Sequence, residues 1–589
     1  MKRILKISVG FLAATILLFS CKKFSVLNTD PNNITPANAA PDYLMTQVLT
    51  SSATFYGNQG SGNMSGAMQQ TYQDAFGNSY SFYNWDPVDW TGNYGTLRDN
   101  KLMMQKAADF GWNFHQGVGL IMRAFNYGVI ADFWGDAPDS MALKGTQNGA
   151  ENQFPVFDDQ QAIYASVIAD LKAAIPFLTG ATGDHPEITG VTMSADVFYG
   201  GDPEKWTKLA NTLLLRYYMR LSAKQNVQAD VEALVGKVFA SNDDDWAMPF
   251  PGIDQNSSYQ KSSVFTGNSN YNRNKMCATL VKKMDALKDP RIVIMAEPIV
   301  TPSVLDQSKF APGDNTTLTS LVGNVRYINP AAAAASSPVY KEFDINTYAT
   351  DRPYGVPIAN VKSFFATSPR YVGIPISYSP NDFSYNLNGT GTQSTSLNNY
   401  VSYMRRDIYD NPSGDLLKQR MASYAEVCFD MAEAAQKGWN VGGSAQDWYN
   451  MGVQASFDLW QVFSTYQGDV NGYAGCVKDY NTYIAQPLVA YDGTLARIME
   501  QKWIASWQAS CESYMDWRRT GLPALSIGYL SWRQQIPLRF AYINSELQNN
   551  PTNSAAAIAK LAPTAYNETD GNNSPWSKFW LLQGTNLPW

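Results

Sequence analysis

Six aromatic rings, Tyr80, Phe82, Tyr83, Trp85, Trp90 and Tyr94, fall within GNSYSFYNWDPVDWTGNY (77–94), among glycines, asparagines, serines and aspartates. An aromatic face is an apolar plate that packs on the C–H side of a sugar ring, while nearby amides, carboxylates and backbone groups bond its hydroxyls. A core helix or strand spaces its rings near 3.6 or 2, but here the successive offsets are two, one, two, five and four. That spacing fits a recognition loop, or a loop locked onto a scaffold by its own rings.

Other chemistry has little to work with. The two histidines, His115 and His185, lie in separate segments, which excludes a zinc site built on paired histidines and leaves Ser-His or Cys-His nucleophiles few candidates. His115 sits in the helical pattern WNFHQGVGL and reads as packed. After Cys21, the cysteines Cys277, Cys428, Cys476 and Cys511 show no CxxC spacing, and any disulfide pairing stays open. No G-x-S-x-G elbow, phosphate-binding glycine loop or H-E-x-x-H occurs. A glycosidase pair can be imagined anywhere among 51 acidic residues, so that count carries no information. Arg518 and Arg519 in DWRRTG could grip an anion, yet at a helix end beside Asp516 they read as structural partners of carboxylates. Asp243, Asp244 and Asp245 lack the ligand alternation and glycine of a calcium loop and read as a solvated turn. No catalytic residue, metal or cofactor is expected.

The chain begins MKRILKISVGFLAATILLFSC, a basic start and an apolar run from Ile7 to Phe19 before Ser20 and Cys21. This reads as a secretory signal over 1–20. At about 1.5 Å per residue the run is too short for a hydrocarbon core of about 30 Å. LLFSC resembles the lipobox of bacterial lipoproteins, so Cys21 is the expected lipidation site, and two or three acyl chains would anchor the mature protein stably. Residues 21–41, rich in Asn, Pro, Ala and Thr, read as a tether, leaving 42–589 as the folded body. Charged residues make up 16 % against a typical ~25 %. With a net charge of −7 and no long basic run, nucleic acid is not an expected partner.

Helical patterns dominate about 99–240 and 420–520. In GDPEKWTKLANTLLLRYYMRL, Asp202 is the expected N-cap, Pro203 the first helical residue, and Trp206, Leu209, Leu213, Leu214, Tyr217 and Leu221 one face. In FDDQQAIYASVIADLKAAIPFL, Asp158 with Gln161 approaches a capping box, and Pro176 is expected to stop the helix. YAEVCFDMAEAAQKGW ends at Gly438, and Ser444 with Asp447 opens the next helix after a short link, which forces antiparallel neighbours. A third long helix is expected from Thr494 through DWRRTG. Hairpins of this length build tetratricopeptide-type solenoids, although no 34-residue repeat is evident. The stretch 245–400 is rich in Asn, Ser, Gly, Pro and Tyr and reads as a loop-rich lobe.

In their order, LLFSC with NTDPNN, ADFWGDAP (131–138), FDDQQAIYASVIADLKAAI, GDPEKWTKLANTLLLRYYMRLS, KDPR (288–291), YAEVCFDMAEAAQKGW and QKWIASWQASCESYMDWRRTGLP resemble the SusD/RagB family of nutrient-binding outer-membrane lipoproteins. The resemblance implies a mainly α fold, a tetratricopeptide-like helical-hairpin platform carrying an irregular loop-rich lobe. It also implies a non-enzymatic protein that binds an oligosaccharide and acts as a lid for a SusC-like TonB-dependent outer-membrane transporter. Part of the family binds peptides, which leaves a peptide ligand as the alternative, with a surface glycan hydrolase behind it. Cell-surface exposure at the outer membrane is the implied placement, with the inner leaflet as the alternative because Lys22 and Lys23 stand where surface-exported members often carry acidic residues. The family's glycan sites involve aromatic loops near 77–94. The expected ligand contacts are therefore Tyr80, Tyr83 and Trp85, then Tyr378 and Tyr385, with packing of Trp85 and Trp90 about Pro87 as the alternative.

Overall fold

The structure, a computed structural model, describes residues 39–73, 79–179, 185–262, 264, 274–299, 303–317, 319–323, 325–332, 371–377, 401–528, 531–587 and 589. Among them are nine helices of ten residues or more: α1 (Pro41–Asn58), α2 (Thr91–Phe110), α3 (Asn113–Trp134), α4 (Gln160–Thr179), α5 (Pro203–Leu221), α6 (Tyr424–Gln436), α7 (Ala445–Leu459), α8 (Leu495–Ala505) and α9 (Cys511–Thr520). The strands are short. β1 (Thr71–Gln73) pairs with β3 (Asn274–Met276), and β2 (Trp246–Pro249) with β7 (Lys418–Ala422), both antiparallel. β6 (Val325–Ile328) lies between parallel β4 (Ser303–Leu305) and antiparallel β5 (Thr319–Val322).

The helices start and stop where local chemistry dictates. Asp202 accepts from the amides of Glu204 and Lys205, Ser444 and Asp447 form a reciprocal capping box, and Thr494 accepts from the Arg497 amide. Each satisfies backbone donors that the first turn leaves without a partner. Gly111, with φ of 70°, ends α2 and turns the chain into α3 within two residues, so the two helices pack antiparallel. α3 is buried along almost its whole length. A Cβ on Gly119 would overlap Met104 of α2, and one on Gly128 would overlap the Tyr217 hydroxyl of α5. Both neighbours approach closely because those positions carry no side chain.

Two boundary expectations are corrected. α4 is capped from a distance, since the Gln160 amide donates to Asp136 Oδ1 at 2.8 Å, while Asp158 instead accepts from Ser140 Oγ at 2.7 Å and the Asp139 amide at 2.8 Å. Pro176 does not end the helix, which runs on to Thr179. The predicted third long helix is two, α8 and α9, separated at residues 506–510. There Gln508 adopts φ of 65°, and the Ser510 amide leaves the helical ladder to donate to the Gly60 carbonyl at 3.3 Å.

A buried ionic lattice ties the early helices to the late ones. Arg216 of α5 forks onto Glu426 of α6 at 2.7 and 2.8 Å. Arg220 of α5 joins Asp132 of α3 to Glu512 of α9. Lys502 of α8 bridges Asp430 at 2.6 Å and Asp516 at 2.7 Å. Arg519 forks onto Glu433 at 2.5 and 2.6 Å, and Arg518 donates to the Leu538 carbonyl at 2.8 Å, so the DWRRTG arginines are structural, as expected. His115 is likewise buried, 2.9 Å from Asp42. All four described cysteines are free thiols.

The acidic run is only partly the solvated turn expected. Asp243 is exposed, but Asp244 is buried and held by Lys208 at 3.1 Å. Asp245 accepts from the Tyr424 amide at 2.7 Å through Oδ1, and its Oδ2 is buried with no partner among the described residues. Burial pushes this carboxyl up to about 7, against the pull of the Tyr424 amide and Arg420. Unfolded, it would titrate near ~3.9. Between about pH 4 and 7 the folded protein therefore holds a proton that the unfolded chain releases, and stability falls as pH rises through that window. We expect Asp245→Asn, which keeps the Oδ1 acceptor, to flatten the loss of urea resistance between pH 5 and 8. An unchanged pH profile would mean that the group is ionised throughout.

Candidate functional site

Three distant segments meet beside the aromatic loop. The amide and hydroxyl of Ser377 both donate to the Ser81 carbonyl, at 3.1 and 2.9 Å, and the same hydroxyl lies 2.7 Å from Ser531 Oγ. The Trp532 amide donates to the Phe82 carbonyl at 2.9 Å. Gly528 permits this closeness, because a Cβ there would collide with the Ile376 carbonyl. The approach is thus written into one residue that has no side chain.

The rings of the loop divide into two sets. Tyr83 is fully buried, its hydroxyl donating to the Ala67 carbonyl at 3.2 Å and accepting from Gln69 Nε2 at 2.8 Å. Burial raises its phenol well above the ordinary value, so it stays a neutral donor. Its backbone adopts φ of 57°, a left-handed conformation that a bulky residue keeps only where its surroundings over-determine it. Trp85 is 5 % exposed and packs on Tyr80, Tyr514 and Phe540, with centroids 5.0, 5.5 and 5.6 Å away. Trp90 lies against Trp134, Phe157 and Tyr542. Tyr83 and Trp85 are therefore corrected from expected ligand plates to packing residues, since a ring enclosed on both faces offers none to a ligand.

What remains accessible is a rim. Tyr80 and Phe82 are half-buried, and Asn84, Asp86 and Asp89 are exposed around them. Trp532, 62 % exposed, joins them from a segment far along the chain. An exposed indole is the largest apolar plate a side chain supplies, and its backbone is tied to a loop that carries exposed amide and carboxylate side chains. Sequence reasoning missed this residue. The available signal was a tryptophan in SIGYLSWRQQ, where glycine and serine interrupt any helical period. Tyr378, which follows the docked Ser377, and Tyr385 lie outside the described residues.

A second groove, of about 610 Å³, is lined by Tyr371, Tyr473, Arg405, Asp407 and Asp469 among others. Its charges already serve one another. Arg405 forks onto Asp407 at 2.7 and 2.8 Å and donates to the Val293 carbonyl at 2.9 Å. It is thus less suited than the rim to an uncharged ligand.

Known proteins resemble the chain along most of its length. The SusD-like family model, described as starch-binding and associating with the outer membrane, matches residues 31–319 and 364–543. A SusD homologue from Bacteroides fragilis superposes with a TM-score of 0.65 at 20 % identity, covering 93 % of this chain and 100 % of its own. A SusD/RagB family protein from Bacteroides thetaiotaomicron does so with 0.60 at 21 % identity, covering 93 % and 100 %. A chitin-binding SusD homologue from Flavobacterium johnsoniae gives 0.61 at 18 % identity, covering 92 % and 99 %. No protein with a curated description matches. At these identities the superpositions establish a shared helical fold.

Proposed function

Since the chain belongs to the SusD-like family of starch-binding proteins that associate with the outer membrane, we propose that it captures a neutral oligosaccharide at the rim formed by Tyr80, Phe82 and Trp532. The observation that carries this reading is the exposed Trp532, tied by its backbone to the Phe82 carbonyl. Asn84, Asp86 and Asp89, exposed on the same loop as Phe82, are the side chains that would bond the hydroxyls of a sugar stacked on the indole. Tyr378 and Tyr385 stay part of this reading as candidate contacts from the sequence. The fit to a chitin-binding relative supports a glycan over a peptide.

In this proposal the protein binds and hands on its ligand without chemistry. Cys21 carries the lipid that holds it at the outer membrane, and a SusC-like TonB-dependent transporter receives the sugar beneath it. The LLFSC motif and the family assignment support this arrangement.

Calorimetric titration of the mature protein with maltoheptaose and chitohexaose tests the rim. We expect Trp532→Ala to weaken binding at least about tenfold, or about 1.4 kcal/mol. Its melting temperature should stay near that of the wild type, because an exposed ring contributes little to the fold. Unchanged affinity in this variant would remove the rim from the site.

A further inference from the structure

A groove of about 540 Å³ runs between α1 and α2, with Asn126 of α3 at its base. Its α1 wall is formed by Gln47, Thr50, Ser51, Thr54, Phe55 and Asn58. These recur three or four positions apart and so share one face of the helix. The outward face of a surface helix normally carries charges. Here it carries two amides, three hydroxyls and a phenyl ring, and Asp42 is the helix's sole charged residue. Phe55 is half-buried and stacked on Trp134, with centroids 6.4 Å apart, so a fixed ring contributes to the lining.

The α2 wall is bare in a complementary way. A Cβ on Gly92 would meet nothing within 4 Å, and one on Gly95 only the tip of Arg98 at 3.9 Å, so the helix surface there is open to a close-lying ligand. Between them Asn93 is 4 % exposed, yet its Oδ1 has no hydrogen-bond partner among the described residues. A buried amide oxygen without a donor is costly unless something supplies one. The charges in the lining are Arg98 and Asp99, neighbours 3.7 Å apart that offset each other.

We propose that this groove is a second binding site for a neutral, hydroxyl-rich chain, an oligosaccharide lying between α1 and α2. Its volume falls in the range of small-ligand sites, about 300–1,000 Å³. Neutral amides and hydroxyls give and accept hydrogen bonds without a charge to desolvate, and Phe55 offers a plate. The site shares no residue with the Trp532 rim.

The test uses the mature protein carrying Trp532→Ala, with maltoheptaose, chitohexaose, xylohexaose and mannohexaose as probes. Hydrogen exchange of the α1 and α2 amides and calorimetric affinity are read together. We expect at least one sugar to protect the first turns of α2 and the groove face of α1. Gly92→Trp, which fills open space and replaces glycine in a helix, should weaken that binding at least tenfold while leaving the melting temperature unchanged or higher. The pair Thr54→Ala and Asn58→Ala should weaken it at least fivefold by removing hydrogen-bonding groups alone. Protection by none of the sugars, or protection that survives Gly92→Trp, would overturn the proposal. So would a Gly92→Trp variant that keeps sugar binding but no longer co-purifies with an outer-membrane protein, for the groove would then be a protein interface. Failure of the rim reading shows separately, as unchanged affinity in Trp532→Ala alone.

Discussion

Replacing Trp85 by alanine is expected to lower the stability of the protein by about 3–5 kcal/mol, the range of Phe and Trp truncations in cores. The indole is 5 % exposed and stands among Tyr80, Tyr514 and Phe540, so its removal opens a cavity walled by rings from both ends of the chain. Those rings cannot collapse into it. Tyr514 is held through its hydroxyl to the Pro537 carbonyl at 2.7 Å, and Phe540 is stacked on Phe133 with centroids 4.8 Å apart. The indole N–H is buried without a partner among the described residues, so truncation sacrifices no hydrogen bond there and the loss is one of packing. Trp85→Phe, which keeps a ring and deletes the unpaired donor, should cost much less. Urea unfolding of the two variants measures both effects. An alanine variant of near-native stability but weakened sugar binding would return Trp85 to the ligand site.

Arg220→Met should destabilise the protein by a similar amount, about 3–5 kcal/mol, for an electrostatic reason. Arg220 stands between Asp132 and Glu512, all three are buried, and its guanidinium alone joins the two carboxylates. Without it, Asp132 keeps among the described residues only the Tyr164 hydroxyl at 2.6 Å, while Glu512 keeps the Tyr56 hydroxyl at 2.6 Å and Arg216 at 3.6 Å. Burial already pushes the Asp132 carboxyl up, and the nearby guanidinium is the main force holding it down. In the variant Asp132 should take up a proton that the unfolded chain would release, so the deficit should be smaller at pH 5 than at pH 8. Adding Asp132→Asn and Glu512→Gln should recover a large part of the stability, since neutral groups are less costly to bury. Arg220→Lys should not, because Arg220 meets Asp132 and Glu512 through two separate nitrogens of a rigid fork, a span that a single Nζ does not reproduce. Urea midpoints at both pH values decide the matter, and a pH-independent deficit would show that packing rather than charge is lost.

Much of the architecture was legible because it depends on near neighbours in the chain. Asp202 with Pro203, Ser444 with Asp447, Thr494 and Gly438 act within one turn of backbone, and all stand at the helix ends where their chemistry places them. The ordered family blocks were legible for the same reason, as was the pairing of Arg519 with Asp516 one turn before it on α9. Where a partner lies far away, local reading failed. α4 takes its cap from Asp136, more than twenty residues upstream, and the break between α8 and α9 depends on a carbonyl at Gly60.

The aromatic loop shows where that boundary falls. Its composition by itself determined that rings, glycines and polar side chains would be concentrated over 77–94, and that this stretch would follow no regular period. Which ring faces solvent was decided only by tertiary structure. Tyr83 is enclosed with Gln69 and Trp85 with Tyr514 and Phe540, while Trp532 is left open beside Phe82. Exposure belongs to the set of atoms that arrive around a ring, and here those atoms come from segments more than 400 residues apart, beyond the reach of any local pattern.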